Sequence, residues 1–217
     1  MSRFRKSKND TLFSVTRINK DIIHLVFDSK KEMNMTMIRF QEFYESPKFK
    51  GTIFTLGQYR DWYIKETGDF NWYLAVEGLN MKSEVFEPFL RGLFDPLTTE
   101  EQEILDRVGR GTSFKYLIAS FDGADDDIIE HEICHAIYGT VPDYAKKVDN
   151  IISKYDTKKI TKWLKSQEYD DHVIVDETHA YVLCNLPYMK ENGLKVEDKM
   201  VTELLKLRRK YKPKTVY

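Results

Sequence analysis

The chain has 217 residues, of which 41% are hydrophobic, and it is rich in aromatic side chains, with 13 Phe, 13 Tyr and 3 Trp. This is enough apolar material for one substantial core or two closely packed ones. Its 34 Lys and Arg nearly balance 35 Asp and Glu, for a net charge of -1, which argues against nucleic acid as a partner. The N-terminal residues lack the apolar stretch of a signal peptide, and no apolar run is long enough to span a bilayer. We therefore expect a cytoplasmic protein without a membrane partner.

Short strands and helices are predicted to alternate in the first half of the chain. Runs of β-branched and apolar residues are typical of strands, and apolar residues three and four apart are typical of helices. We expect strands at residues 12–18, 21–28 and 71–76, a turn at residues 19–20, and helices at residues 35–46 and 56–67. Thr55 is the expected N-cap of the second helix, and Thr98 with Glu101 has the spacing of a capping box.

The second half is predicted to be mostly helical. Residues 114–121 alternate in the manner of a strand and directly precede a predicted helix at residues 125–139. Further helices are expected at residues 144–155, 158–167, 173–186 and 196–211. The last helix has a basic end, which we interpret as charge that complements the helix dipole.

The segment 125–139, DDDIIEHEICHAIYG, carries the main functional pattern. His131 and His135 are four apart, so on a helix both imidazoles lie on one face, one turn apart. Glu132 lies about 100° round the same helix and flanks the point at which the imidazoles aim. In this His-Glu-x-x-His arrangement the imidazoles hold Zn²⁺ and the glutamate acts on a metal-bound water.

The predicted helix around this pattern has suitable ends and a suitable buried face. Residues 125–127 offer N-cap oxygens and negative charge near the helix N-terminus, and Gly139 is expected at the C′ position. Ile129, Ile133 and Ile137 form an apolar stripe on the side away from the histidines. We therefore expect this helix to pack in the core.

A third protein ligand, with water in the fourth position, distinguishes a catalytic zinc site from a closed structural one. The best source is the predicted helix at residues 173–186, which contains Glu177 and His179. The two lie about 200° apart round a helix, so they cannot bind one ion together from a straight helix. One of them must have another role. Ala180, on the Glu177 face, is small enough to let this helix approach the first one closely.

These motifs resemble the gluzincin family of metallopeptidases. His131 to His135 form the first motif, and Glu177 within DETHAY follows the second histidine by 42 residues, as in the third-ligand helix of that family. Asp176 stands in place of the usual asparagine, and the exopeptidase motif of the family's aminopeptidases is absent. In gluzincins the strand before the ligand helix pairs with extended substrate, and residues 114–121 occupy that place. The resemblance covers residues 114–186.

The resemblance implies a role for each matching residue. His131, His135 and Glu177 would be the zinc ligands and Glu132 the general base. Tyr181, one turn beyond Glu177, would donate a hydrogen bond to the developing oxyanion, or it is a packed aromatic with its hydroxyl bonded elsewhere. Tyr138 is a second, weaker candidate for the same donor. His179 would then be a core or supporting group.

The only two cysteines, Cys134 and Cys184, lie in predicted helices near the proposed site. Two such cysteines do not make a disulfide framework. We interpret both as small core residues in a reducing compartment, with a redox or metal role as the alternative.

These observations predict an α+β, zincin-like fold, in which a small mixed sheet and an active-site helix are followed by a mostly helical C-terminal half. Residues 1–110 would form an aromatic-rich α+β region and residues 111–217 the zincin-like catalytic region, within one compact unit. The predicted function is that of a zinc metallopeptidase, with Zn²⁺ as cofactor and a peptide or protein as substrate. The sequence indicates neither a particular substrate nor an oligomeric state.

The alternative is a non-catalytic zincin-like domain that binds a protein or peptide and holds a structural metal. Its recognition surface would be the aromatic-rich first half. An exposed cluster of Tyr59, Trp62, Tyr63 and Trp72 would favour this alternative, whereas burial of these side chains would place them in the core.

Overall fold

A four-stranded mixed sheet lies between two layers of helices. The computed structural model describes residues 11–74, 76–110 and 113–212. The strands are Phe13–Arg17 (β1), Ile22–Phe27 (β2), Leu79–Lys82 (β3) and Tyr116–Phe121 (β4). The α-helices are Lys30–Glu45 (α1), Leu56–Thr67 (α2), Glu87–Leu90 (α3), Thr99–Ile104 (α4), Asp126–Thr140 (α5), Pro142–Ile152 (α6), Lys158–Ser166 (α7), Ile174–Cys184 (α8), Leu186–Glu191 (α9) and Asp198–Lys210 (α10).

The strands are arranged in the order β1-β2-β4-β3. β1 and β2 form an antiparallel hairpin, β2 and β4 are parallel, and β3 and β4 are antiparallel. The hairpin turn confirms the predicted one, because the side-chain oxygen of Asn19 accepts hydrogen bonds from the backbone nitrogens of Asp21 and Ile22 at 2.8 and 3.0 Å. The resemblance implied that β4 pairs with substrate. This is wrong, because β4 has a strand on each side and has no free edge. The edge strand nearest it is β3.

The alternation of β4 assigns its side chains to two separate cores. Leu117 and Ala119 pack in the core formed with α1 and the other N-terminal helices. Tyr116 and Ile118 pack in the core formed with α5 and the C-terminal helices. Because the strand is covered on both faces, all of its residues except the last are buried.

The predicted N-caps of α2 and α4 are confirmed. Thr55 accepts a hydrogen bond from the backbone nitrogen of Gln58, and the glutamine side chain closes a capping box. Thr98 and Glu101 form the predicted capping box of α4. Helix α1 begins five residues earlier than predicted, because Ser29 caps it by accepting from a first-turn backbone nitrogen.

The strand predicted at residues 71–76 is wrong, apart from one position that lies outside the described residues. The segment contains the 3₁₀ turn Trp72–Leu74. The buried side chain of Asn34 donates to the backbone oxygens of Tyr73 and Val76, both at 3.0 Å. Helix α1 therefore binds carbonyl groups that a strand would have offered to the sheet.

The aromatic residues singled out in the first half belong to the core. Tyr59 and Trp72 are 1% and 3% exposed. Trp62 and Tyr63 are partly buried and pack against this same core. They do not form the exposed aromatic cluster that would have favoured the alternative prediction.

The helices predicted after β4 are present with small shifts of their ends, and α9 is an additional one. The α+β class and the small mixed sheet are confirmed. The regions 1–110 and 111–217, as far as they are described, share that sheet, because β4 inserts between two strands of the first region. Among the described residues no helix combines the length and apolar character needed to cross a membrane.

Candidate metal centre

Helix α5 lies on the sheet through its apolar side and turns its histidines towards α8. Ile133 and Ile137 are buried in the C-terminal core, as the stripe predicted. Asp125 occupies the N-cap position, but its side chain makes no capping bond. Gly139 does not end the helix as expected. A side chain there would bring its Cβ within 2.8 Å of the ring of Tyr116, so this glycine allows the helix to lie close to β4.

The side chains of His131, His135 and Glu177 converge on one point between α5 and α8. Their ligating atoms all lie within 4.8 Å of one another. The two Nε2 atoms are 3.0 Å apart, and they lie 3.8 Å (His131) and 3.6 Å (His135) from the nearer glutamate oxygens. A tetrahedral zinc shell with ligand distances of about 2.0–2.2 Å has about 3.3–3.6 Å between neighbouring ligand atoms. The two imidazole nitrogens therefore fit such a shell within a few tenths of an ångström. The two glutamate contacts involve different oxygens, so the carboxylate must turn to bring one oxygen into the shell.

Glu177 also has an oxygen without a hydrogen-bond partner among the residues that the structure describes. The residue is 9% exposed, and its Oε2 is buried without a hydrogen bond. A buried carboxylate oxygen without a partner is costly. A cation between Glu177 and the two imidazoles would supply the missing partner.

The outer nitrogen of each imidazole is held by a neighbouring oxygen. His131 Nδ1 lies 2.7 Å from Oδ1 of Asn185, and His135 Nδ1 lies 3.0 Å from Oδ2 of Asp176. Both contacts favour a proton on Nδ1, which leaves Nε2 as the nitrogen able to bind a metal. Sequence analysis missed both supporting residues. Asp176 carried a signal, because it adjoins Glu177, whereas nothing marked Asn185, which lies 54 residues from its histidine.

The surroundings of the two histidines shift their pKa values in opposite directions. Burial, with a smaller contribution from His135, lowers the pKa of His131 to about 4. Burial also opposes protonation of His135, but the carboxylates of Asp176 and Glu177 outweigh it and raise the pKa of that imidazole. Burial raises the pKa of Glu177 to about 7. Three groups that strongly perturb each other in one buried cluster are typical of a functional site.

His179 lies outside the cluster. It is fully buried, and its Nε2 is 2.7 Å from the hydroxyl of Tyr144. Its Nδ1 lies 3.4 Å from Asp176 Oδ1. It therefore contacts the aspartate that lies beside His135, and whether it is a core or a supporting group stays a prediction.

Glu132 lies beside the cluster and is fixed by the edge strand. Its Oε2 accepts a hydrogen bond from the amide of Asn80 at 2.6 Å, and Asn80 in turn accepts one from the hydroxyl of Tyr116 at 2.6 Å. A Cβ at Gly78 would lie 2.8 Å from the other carboxylate oxygen, so only glycine leaves room there. Burial raises the pKa of Glu132. Sequence analysis found the glutamate but not its partners, which lie on β3 and β4.

Glu45, at the C-terminal end of α1, adds a further carboxylate to the surroundings of the site. Its side chain reaches the protein surface. Even so, desolvation by the surrounding atoms, together with the charges of Glu177 and Glu132, raises its pKa to about 8. Gln41 donates a hydrogen bond to it. In the described part of the chain Glu45, Glu132 and Glu177 have no Lys or Arg ion-pair partner. The surroundings of the cluster are therefore acidic.

The hydroxyl groups of the two candidate oxyanion donors each have a hydrogen-bond partner in the structure. The ring of Tyr181 packs edge-on against His131, with 5.1 Å between centroids, and its hydroxyl is 3.3 Å from that of Tyr169. The Tyr138 hydroxyl donates to Asp149 at 2.8 Å. Tyr181 adjoins the cluster, and its role as donor stays a prediction.

Comparison with known proteins returned no relatives. No protein-family model matches the chain, and neither a curated protein nor a solved structure shows significant similarity to it. The resemblance to gluzincins therefore depends on the residues of the site alone.

Proposed function

We propose that the protein is a cytoplasmic zinc metallopeptidase with a zincin-like fold. The observation that carries this proposal is the convergence of His131, His135 and Glu177 beside a fixed carboxylate, Glu132. Two neutral imidazoles and one carboxylate would hold the ion and leave a coordination position open. Bound there, Zn²⁺ would lower the pKa of a water molecule and polarise a carbonyl group.

Glu132 would serve as general base and then as general acid. Its carboxylate can take a proton from the attacking water and pass it to the leaving amine. The hydrogen bond from Asn80 holds one oxygen, so the other is the one available for proton transfer. Burial raises the pKa of this carboxylate, which brings it nearer to the working pH of a proton-transfer group.

The substrate would approach along β3. This strand is at the edge of the sheet and carries Asn80, the partner of Glu132. An extended peptide can add to a sheet edge through main-chain hydrogen bonds. A peptide bound in this way would run past Glu132.

Metal content and peptide cleavage test this proposal together. The purified chain should bind about one zinc ion and cleave members of a peptide library. Glu132→Gln should retain the metal and lose activity by at least about 100-fold, because it removes the proton acceptor and no ligand. Glu130→Gln is the matched control, since Glu130 is on the same helix but is exposed and paired with Arg208 at 2.8 Å. It should retain both metal and activity.

The outcomes separate the two predicted functions. Full zinc binding without cleavage of any peptide would support the non-catalytic binding domain instead. Cleavage that persists in Glu132→Gln would contradict the role given to this residue. A chain that binds no zinc would overturn the metal site itself.

A further inference from the structure

The two cysteines of the chain face each other across the helix pair that carries the candidate metal ligands. Cys134 is on α5 and Cys184 is the last residue of α8. They are 50 residues apart in sequence, and their sulfur atoms are 3.8 Å apart, in van der Waals contact. Both are free thiols. In a chain with only two cysteines, this proximity is not a consequence of local sequence.

We propose that Cys134 and Cys184 are a reversible redox modification site, in which a small-molecule disulfide such as oxidised glutathione closes a bond between α5 and α8. This proposal does not depend on whether the protein is a peptidase. In the cytoplasm proposed above, such a disulfide would be transient, unlike a structural disulfide of a secreted protein.

The packing of the two helices makes closure of this bond feasible. A disulfide has about 2.05 Å between its sulfurs, so the two atoms must approach by about 1.8 Å from the 3.8 Å observed. Rotation of the two side chains can move their sulfur atoms by distances of this order. The helices already pack directly against each other, with the buried alanines Ala136 and Ala180 on them.

The difference in exposure sets the order of the two exchange steps. Cys184 is partly exposed, whereas Cys134 is 1% exposed. The Cys184 thiolate attacks oxidised glutathione, forms a mixed disulfide and releases one glutathione thiolate. The Cys134 thiolate then attacks the Cys184 sulfur and releases the second. Two protein thiols are oxidised, one glutathione disulfide is reduced to two thiols, and the protons of the protein thiols pass to the released glutathione.

The closed bond would join the two halves of the candidate metal centre. Cys134 adjoins His135, and Cys184 lies two helical turns beyond Glu177. A cross-link between them constrains the unfolded chain over a loop of 50 residues. For a domain of this size that constraint should raise the Tm by about 5–10 °C.

The test uses the full chain, oxidised glutathione and intact mass. We expect the folded protein to lose two hydrogen atoms, to lose both thiols together and to retain no glutathione. Its Tm should rise, and dithiothreitol should reverse both changes. Three results would each overturn the proposal. They are a stable glutathione adduct on the chain without substitutions, a disulfide-linked dimer, and two thiols that stay unreacted while the protein is folded.

Two single variants check the order of the steps. Cys134→Ser should keep one glutathione on Cys184, because no second thiol can displace it. Cys184→Ser should stay unmodified while folded, because Cys134 is buried. Circular dichroism shows whether each variant is folded. If either variant is unfolded, the mass measurement on the chain without substitutions decides the proposal.

Discussion

The two faces of the sheet both bury charged side chains, but only one of them gives every charge a partner. On the N-terminal face, Arg39 and Glu101 lie 4% and 2% exposed in a core of phenylalanines, and they form two hydrogen bonds to each other. The backbone oxygens of Phe94 and Pro96 bind the rest of the guanidinium. On the C-terminal face, Glu177 is buried among imidazoles and has an oxygen without a partner.

We interpret this difference as that between a charge with a structural role and one that is available to bind a cation. A buried ion pair whose polar atoms are all bonded is complete, and breaking it leaves an uncompensated charge. A buried carboxylate oxygen without a hydrogen bond is costly, and a bound cation would offset that cost. The same chemical change, from Glu to Gln, should therefore have opposite effects on the two faces.

The largest expected effect is that of Glu101→Gln. The variant keeps a side chain able to form the capping box with Thr98, but it leaves Arg39 buried without a counter-charge. We expect the free energy of unfolding to fall by about 3–5 kcal/mol, measured by urea titration at pH 7. A loss below about 1 kcal/mol would show that Arg39 reaches solvent or another acceptor and would remove the contrast between the faces.

Glu177→Gln should act on zinc binding and leave the stability of the metal-free protein equal to or above that of the unmodified chain. Zinc at about 1,000 times its Kd stabilises a folded protein by about 4 kcal/mol, and the variant should lose most of this gain. Thermal unfolding with and without zinc, and with a chelator, measures both quantities. Equal zinc stabilisation in the variant would exclude Glu177 as a ligand.

His24 provides a pH test on the C-terminal face that does not involve the metal centre. Its Nε2 is 2.8 Å from the hydroxyl of Ser120, and burial lowers its pKa to about 4. The same imidazole has a pKa of about 6.5 in the unfolded chain. The contribution of His24 to the free energy of unfolding is therefore fully present above about pH 6.5 and is lost as the pH falls towards 4. Between pH 7.5 and pH 5 the loss should be about 2 kcal/mol.

The matched variant is His24→Gln, whose amide can retain the bond to Ser120 but does not titrate. The difference in unfolding free energy between it and the unmodified chain should change by about 2 kcal/mol over this pH range. A constant difference would mean that the imidazole is not shielded from solvent to the extent that the structure shows.

The smallest expected effect is that of Gly139→Ala. Its Cβ would meet the Tyr116 ring at 2.8 Å, and we expect a net loss of about 1–2 kcal/mol after the gain in helix propensity. Gly57→Ala in α2 is the control, since the nearest atom to its Cβ is 3.8 Å away. The control should be neutral or stabilising, and the same sign for both variants would contradict the close approach of α5 to β4.

The sequence predicted what is set by neighbouring residues and missed what is set by distant ones. The N-cap at Thr55, the capping box of Thr98 and Glu101, the hairpin turn and the helix with His131 and His135 all depend on neighbouring residues, and all are present. The strand predicted at residues 71–76 failed because Asn34, at least 39 residues away, binds its carbonyl groups. No local pattern carries that information.

The same limit applies to the candidate site. The ligand types and Glu132 follow from a motif, and Glu177 follows from helical geometry and resemblance. Asn80 bonds to Glu132 across 52 residues, and its position depends on the order of strands in the sheet. Spacing along one chain does not predict strand order, so the residues that fix Glu132 were not identifiable.

The central place of β4 has a consequence for biosynthesis. β2 and β3 leave the ribosome before β4 does, yet neither pairs with the other in the finished sheet. Until Tyr116–Phe121 emerges, the backbone groups of β2 and β3 that pair with β4 have no hydrogen-bond partners from that strand. We expect newly made chains cut short before residue 116 to aggregate or to bind chaperones, and chains that extend past α5 to become resistant to protease.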